Sequence, residues 1–492
     1  MPVSGRLRGT YATVVALALL GLCPDLVLST ALLPLTPSLA HDLGTSQAWL
    51  QVTGGLSSAA MATGVVVAAQ LGQRFVQRRL FLGYSTAFLL GSLLVALAPS
   101  LPFFLVGRVL QGGGTGLMLI GALPPLMTRF GVGRLPLTVA LVNLGLFGAT
   151  TLGPLVGGVA AGAGAWRTLM GAVVVLGALG LLAAVLGYPV FDPPDPDLPV
   201  DSPALALASG GAVLTFLATS LVSAVSLASL LFWAPFALGI AAIVALVVVE
   251  RRRDPSLMPV RELSTQLPVT GTLVAMVAGA AFVTVTELVQ LHLATVARED
   301  PTTAGLMFWP MPVGLAVAAV VLGVVFRTRY LPVLVNVGLL ALGAGCGLLL
   351  GLSATGGEGL VPPAVALLGF GAGATVTPGL LLAGLGVHPH LLGRAFALVQ
   401  LLRLTATFAV APVVVYVAQQ HGSPAAGIHL GIWVSLALCV VGLVASLAVP
   451  ALSGARLERP DLEAWLEDDE RGIASPAAGA RVRSRVPRSA GA

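Results

Sequence analysis

Only 9% of this 492-residue sequence is charged, so the few ionisable side chains that fall within long apolar runs are where chemistry is to be sought. Asp25 stands near the middle of the first run, with Ser29, Leu32 and Thr36 on the same helical face. A carboxylate at that depth costs about 2.5–3.5 kcal/mol on insertion scales, so it must face a cavity or a partner, where it can carry a proton. Solvation near a surface, or permanent pairing with an arginine, is the plainer alternative. In FLVGRVLQGGGTG, Arg108, Gln111 and Thr115 share a face at i, i+3 and i+7. A buried arginine stays charged, so it can hold an anion or favour the ionised form of a carboxylate. Arg108 is therefore the partner expected for Asp25, a static structural pair being the alternative. Glu287, with Thr284 and Gln290 on nearly the same face, is a second carboxylate suited to a proton or a cationic ligand, while His292 points elsewhere and reads as a lone histidine near the outer interface. Gln400, Arg403 and Thr407 repeat the glutamine, arginine and threonine theme, lining a cavity or serving structure.

The elements that hold these groups are membrane helices. Hydrophobic residues make up 57% of the chain and the mean hydropathy is +0.98, which excludes a water-soluble domain of this length. About fourteen stretches reach the roughly 20 apolar residues that a bilayer requires of a helix. They lie near 11–38, 47–71, 80–98, 103–127, 135–161, 168–190, 204–225, 227–249, 269–294, 303–325, 331–352, 360–387, 395–417 and 426–449. All 25 basic residues are arginines, and with the amino terminus inside only Arg167 and Arg298 fall outside. That is the positive-inside bias: both termini are expected in the cytoplasm, and the net charge of +5 is a topology signal rather than a nucleic-acid footprint. The first run is too long for a secretory h-region and is read as a retained helix. Cys23, Cys346 and Cys439 each lie within a span without metal-ligand spacing, so neither a disulfide nor a metal site is expected.

The fifth span, GLFGATTLGPLVGG, sets Gly145, Ala149, Gly153 and Gly157 four apart, a strip that lets another helix approach to backbone contact. Gly148, the bend-permitting Pro154 and the doublet Gly157–Gly158 complete it. Residues 191–203, rich in Pro and Asp, read as a cytoplasmic linker, and 453–492 as a tail with one short interfacial helix around 457–466 followed by disorder. No zinc-spaced histidines, phosphate loop or serine elbow occurs, so no catalytic residue is assigned and the chain is not expected to be an enzyme.

These motifs resemble the major facilitator superfamily, and within it the fourteen-span drug/proton antiporters. RVLQGGGTG at 108–116 is similar to the superfamily's fourth-span arginine motif, and 145–158 to its fifth-span antiporter motif ending in GPxxGG. DLVLSTALLP at 25–34 is similar to the aspartate-to-proline motif with Thr30 in place of asparagine, and ERRRDPSLMPVREL to the loop that follows the extra helix pair. The likeness covers roughly residues 15–450. The gate loop departs from it: Gly72, Arg74, Arg78 and Arg79 remain, but Gln73 replaces the usual aspartate and Val76 the glycine, which removes one charge-assisted tie across the cytoplasmic gate.

The resemblance implies an all-α polytopic fold: an N-terminal six-helix bundle (1–190), the linker (191–203), two additional helices (204–249), a cytoplasmic loop (250–268), a C-terminal six-helix bundle (269–452) and the tail. It implies a monomer in a bacterial cytoplasmic membrane, alternating between inward and outward openings, without a cofactor and driven by the proton motive force. Asp25, Arg108 and Glu287 would couple protons. Ser29, Gln111, Thr115, Gln290, Gln400 and Arg403 would line a cavity for drugs, antibiotics or other amphipathic small molecules. Asp25 and Glu287 favour cationic cargo, whereas Arg108 and Arg403 could equally admit anionic compounds. A proton-coupled uptake carrier and a non-transporting sensor or assembly module are the rival readings.

Overall fold

A computed structural model describes residues 9–190, 193, 195–253, 256–353, 356–453, 459–467, 469–473, 475 and 476. Among them are 14 helices long and apolar enough to cross a membrane. The first bundle holds α1 (Tyr11–Asp42), α2 (Gln47–Arg74), α3 (Gln77–Ala96), α4 (Leu101–Thr128), α5 (Leu135–Gly162) and α6 (Trp166–Gly187). The extra pair is α7 (Ser202–Ser220) and α8 (Leu230–Arg252). The second bundle holds α9 (Gln266–Thr295), α10 (Pro310–Val325), α11 (Leu331–Leu349), α12 (Val361–Leu385), α13 (Leu392–Gln420) and α14 (Pro424–Ser453). Helices are the element that apolar surroundings demand, because each satisfies its own backbone donors and acceptors.

Several helices outrun their apolar stretches. The 32 residues of α1 extend about 48 Å at 1.5 Å per residue, beyond the about 30 Å hydrocarbon layer. Local caps set the starts: Ser46 Oγ accepts from Trp49 N before α2, and Asp201 Oδ1 accepts from Ala204 N before α7. The tenth span is broken. A short helix, Pro301–Leu306, is capped by Asp300, and α10 restarts at Pro310, which has no N–H to continue the ladder. The seventh span also divides, into α7 and the turn Val222–Val225.

Small residues bring the helices to backbone contact. A Cβ on Gly112 or Gly116 of α4 would stand 2.1 Å from Ser57 O or Met61 O of α2. The extra pair is joined at Gly211 and Gly239, and it lies along the seam between the bundles. A Cβ on Gly55 of α2 would stand 1.7 Å from Ser220 Oγ of α7, and Phe216 of α7 meets Phe408 of α13 edge-on at 4.8 Å. The 191–203 segment is tied to α2: Asp195 N donates to Gln73 O, and Gln70 Nε2 to Pro199 O, while residues 191, 192 and 194 lie outside the described ones.

The tail corrects the expectation of an interfacial helix. Its helix, α15 (Leu462–Glu467), docks on protein: Trp465 is fully buried and donates its Nε1 to Val387 O at 3.0 Å, and Ile473 N donates to Leu385 O. The physical reason is burial, since Leu462, Trp465 and Ile473 find an apolar seat at the end of the second bundle. The expected disordered stretch from 477 onward lies outside the described residues.

Candidate functional site

Asp25 and Arg108 meet inside the first bundle. Pro24 and Asp25 face inward from α1, and Arg108 reaches across from α4 to place Nη1 2.9 Å from Asp25 Oδ1, with both side chains about 5–6% exposed. The same Nη1 lies 2.8 Å from Gln111 Oε1, and Gln111 Nε2 donates to Ser92 Oγ of α3 at 3.0 Å. Ser57 Oγ of α2 donates to Arg108 O, fixing the backbone that carries the guanidinium. Four helices thus hold one ion pair. Arg108 Nε has no acceptor among the described residues, so the buried pair is not fully saturated. The attraction within the pair depends on both members being charged.

Gln111 and Thr115 are wholly buried, with the Thr115 hydroxyl bonded to Gln111 O and Gln111 Oε1 against Arg108 Nη1. Ser29 is exposed, but its hydroxyl is turned back onto Leu26 O. His292, near the end of α9, lies 1% exposed, and neither ring nitrogen finds a partner among the described residues.

A second polar group sits between the bundles. Arg403 of α13 donates Nε to Gln400 Oε1 at 2.7 Å, and its guanidinium carbon lies 5.7 Å from the ring centroid of Phe147, which belongs to α5 of the opposite bundle. It passes beside Gly279 of α9, where an added Cβ would meet Arg403 Cγ at 3.4 Å. Gln400 and Thr407 are buried, and Arg403 is half-buried. Glu287, two turns further along α9, is half-buried. Among the described residues Glu287 has no hydrogen-bond partner and no cation within 4.0 Å, and Arg403 has no carboxylate within that distance. Gln290 stands nearby on the same face with neither amide atom partnered.

The antiporter-like glycines of α5 divide between two neighbours. A Cβ on Gly153 would meet Val27 O at 2.5 Å and one on Gly157 would meet Ala31 O at 2.3 Å, both on α1, while Gly145 rests against Leu19. Gly158 faces across the bundle boundary instead, where a Cβ would lie 2.6 Å from Gly305 Cα in Pro301–Leu306. Pro154 O borders Gly305 in the same contact. Gly148 is looser, its nearest neighbours being Leu144 and Leu315 at ordinary distances.

At the arginine-rich face, a cleft of about 290 Å³ opens between Gly72, Gln73, Pro124, Arg129 and His390. Neither Glu287 nor Arg403 lines it. In the gate loop Arg78 donates to Val185 O, Arg79 is exposed, and Arg74 Nε is buried without a partner; no ion pair among the described residues involves Arg74, Arg78 or Arg79.

Two six-helix bundles with an ion pair inside one and unpaired charges between them agree with the family model that matches this chain, described as Major Facilitator Superfamily, over residues 18–412. The chain belongs to the major facilitator superfamily. It is a multi-pass membrane transporter, not a member of an enzyme family. It is similar to the Multidrug resistance protein B homolog of Mycobacterium tuberculosis H37Rv, 28% identical over 369 residues, which span 73% of this chain and 67% of that protein. It is similar also to the Cephamycin export protein CmcT of Amycolatopsis lactamdurans, 32% identical over 56% of this chain and 57% of that protein. Among solved structures, the human organic anion transporter MFSD10 superposes with a TM-score of 0.65 at 17% identity, covering 89% of this chain and 100% of that one. That likeness establishes the fold alone.

Sequence reasoning passed over Ser57, Ser92, Asn143 and Thr377. Asn143 of α5 donates Nδ2 to Gly373 O and accepts from Thr377 Oγ1 at 2.8 Å, bonding the two bundles through α12. A lone amide in the middle of an apolar run was the signal available for it; serines and threonines carry no such signal, because their hydroxyls ordinarily bond within their own helix.

Proposed function

We propose that this transporter exports amphipathic small molecules from the cytoplasm in exchange for protons, both of its termini lying on the cytoplasmic side of a bacterial cytoplasmic membrane. The observation that carries the reading is the Asp25–Arg108 pair, sealed from water within one bundle and contacting four helices. Protonation of Asp25 from the outer side cancels its attraction to Arg108 and loosens α1 against α4. Glu287 of α9 binds either a proton or a cationic group, so proton entry displaces cargo. Alternating access follows as a rocking of the bundles, with the contacts at Gly158 and Gly305 closing one face and those at the arginine-rich face closing the other.

Relatives named for multidrug resistance, cephamycin export, and tetracenomycin C resistance and export support the outward direction. Each proton moving down the membrane potential supplies about 2.3 kcal/mol per 100 mV, before the pH term, so neither a cofactor nor a metal is called for, and one chain suffices. The test is Asp25→Asn in inverted vesicles energised by respiration. Proton-driven uptake of a lipophilic dye should vanish while the amount of protein in the membrane is unchanged; transport at the wild-type rate would remove Asp25 from the mechanism. Dye moving the opposite way under the same gradient would establish an uptake carrier.

A further inference from the structure

Asn143 is the ninth residue of α5, and Thr377 is the ninth counted back from the end of α12. Both of those helix ends lie at the arginine-rich face, since Arg134 precedes α5 and Arg394 follows α12. The two side chains therefore meet about 12 Å inside that face at 1.5 Å per residue. The Gly158 contact is fifteen residues further along α5, roughly 22 Å nearer the opposite face. Around Asn143 the bundles are in close contact: a Cβ on Gly323 of α10 would meet Pro136 O and Ala140 Cβ of α5 at 3.3 Å. Asn143 is wholly buried there, and Thr377 is 3% exposed.

The hydrogen bonds of Thr377 are not those a helical threonine makes by default. Such a hydroxyl turns to the carbonyl four residues back, as Thr375 of the same helix does to Gly371 O at 2.7 Å. For Thr377 that carbonyl is Gly373 O. Asn143 of the opposite bundle is inserted between the two: its Nδ2 donates to Gly373 O at 2.9 Å, and its Oδ1 accepts from Thr377 Oγ1 at 2.8 Å. A carbonyl only accepts, so the orientation of the amide is fixed. We infer that this insertion is the latch of the arginine-rich face, with an alternative bond built into α12 for the open state. When the bundles part, the Thr377 hydroxyl returns to Gly373 O and α12 is satisfied from within. Asn143 loses both partners and turns to the water that enters. The latch thus releases without leaving a buried polar group unpaired in the second bundle. Exchanging two buried hydrogen bonds for bonds to water shifts the balance between closed and open by about tenfold. The inference rests on the rocking of the bundles proposed above, and on neither its direction nor the coupled ion.

The experiment follows two reporter cysteines, one at a time, in the purified full chain in detergent with a bulky water-soluble maleimide. Gly393→Cys reports the arginine-rich side, since a Cβ there faces Pro124 of the first bundle at 3.5 Å; Thr302→Cys reports the opposite face, where Thr302 packs on Gly162. A chain without either reporter gives the background from Cys23, Cys346 and Cys439. Asn143→Leu should speed labelling at Gly393→Cys about tenfold. Thr377→Val, which removes one of the two bonds, should speed it about threefold, and Thr377→Ser should match the wild type. None of these should speed labelling at Thr302→Cys. Combining Asn143→Leu with Thr377→Val should give no more than Asn143→Leu alone, because the second bond is already gone. Unchanged labelling of Gly393→Cys in Asn143→Leu and Thr377→Val, an equal rise at both reporters, or independent effects that multiply in the double variant overturns the inference. If Asn143→Leu fails to fold, the contrast between Thr377→Val and Thr377→Ser decides it. Gly158→Trp, which props the opposite face apart, should slow labelling at Gly393→Cys. If it does not, the two faces do not alternate and the exporter reading fails, while the response to Asn143→Leu still decides the latch.

Discussion

Asp25 and Arg108 are buried against each other at 2.9 Å, so each compensates the other's charge. Removing one partner of a buried pair leaves an uncompensated charge and costs about 3–5 kcal/mol, whereas removing both costs far less. Arg108→Ala should therefore lower the thermal unfolding midpoint of the purified protein markedly, and adding Asp25→Asn in the same chain should recover most of the loss. If the double variant melts no higher than the single one, the pair is not the unit the geometry describes. The pairing was legible in the sequence, because so few charges lie within the apolar runs that each one nominates the other. Its support was not: Ser57 and Ser92 look like any other membrane serine until the distances to Arg108 O and Gln111 Nε2 are known. Nor could composition say that Asp25 and Arg108 cancel while Glu287 and Arg403 do not, since all four read alike as charges in apolar surroundings.

Among the elements, α5 gives the sharpest graded expectation. Its glycines recur at a spacing of four, which announces a face for close packing, but spacing cannot say which helix that face meets. Gly157 and Gly158 are consecutive, hence about 100° apart around the axis, and they touch different partners: α1 in the same bundle and Pro301–Leu306 in the other. Alanine scanning should separate them. Gly148→Ala meets its neighbours at 3.5 Å or more and should transport as the wild type does. Gly157→Ala puts a methyl 2.3 Å from Ala31 O, where only backbone can yield, and should reduce both the yield of folded protein and transport. Gly158→Ala should fold, because its obstacle is the opposite bundle; the two halves part by the width of a methyl, and the proton leak of proteoliposomes, followed with an internal pH dye, should rise at least severalfold. A leak unchanged from wild type would show that this contact does not seal that face. The span break at Pro310 was hidden in the sequence for a related reason: TAGLMFWP is apolar throughout, and hydropathy does not register where a helix stops and restarts.

For the molecule as a whole, the number of spans could be read from hydropathy and the two-bundle plan only through the family resemblance, whereas the seat of the tail could be read from neither, because it is assembled from segments far apart in the chain. Arg459 Nε donates to Arg327 O between α10 and α11; Gln266 N, at the start of α9, donates to Pro476 O; Trp465 and Ile473 bond the connection between α12 and α13. Helix α15 also packs on the turn Val132–Arg134 of the first bundle, and Arg327 donates to Val132 O beside it. The tail therefore ties the two bundles at the face opposite to the Gly158 contact. Its anchor is Trp465, and truncating a buried tryptophan costs about 3–5 kcal/mol, more than a segment held by a few backbone hydrogen bonds at about 1 kcal/mol each can lose and stay docked. Trp465→Ala should undock residues 459–476 while leaving the fourteen helices intact. Trypsin should then cut after Arg471 at least a hundredfold faster than in the wild type, with the unfolding midpoint of the transmembrane core moved little. Cleavage at the wild-type rate would mean that the backbone bonds alone hold the tail. A collapse of the core would mean that the tail is part of the second bundle's own packing and not a strap laid across it.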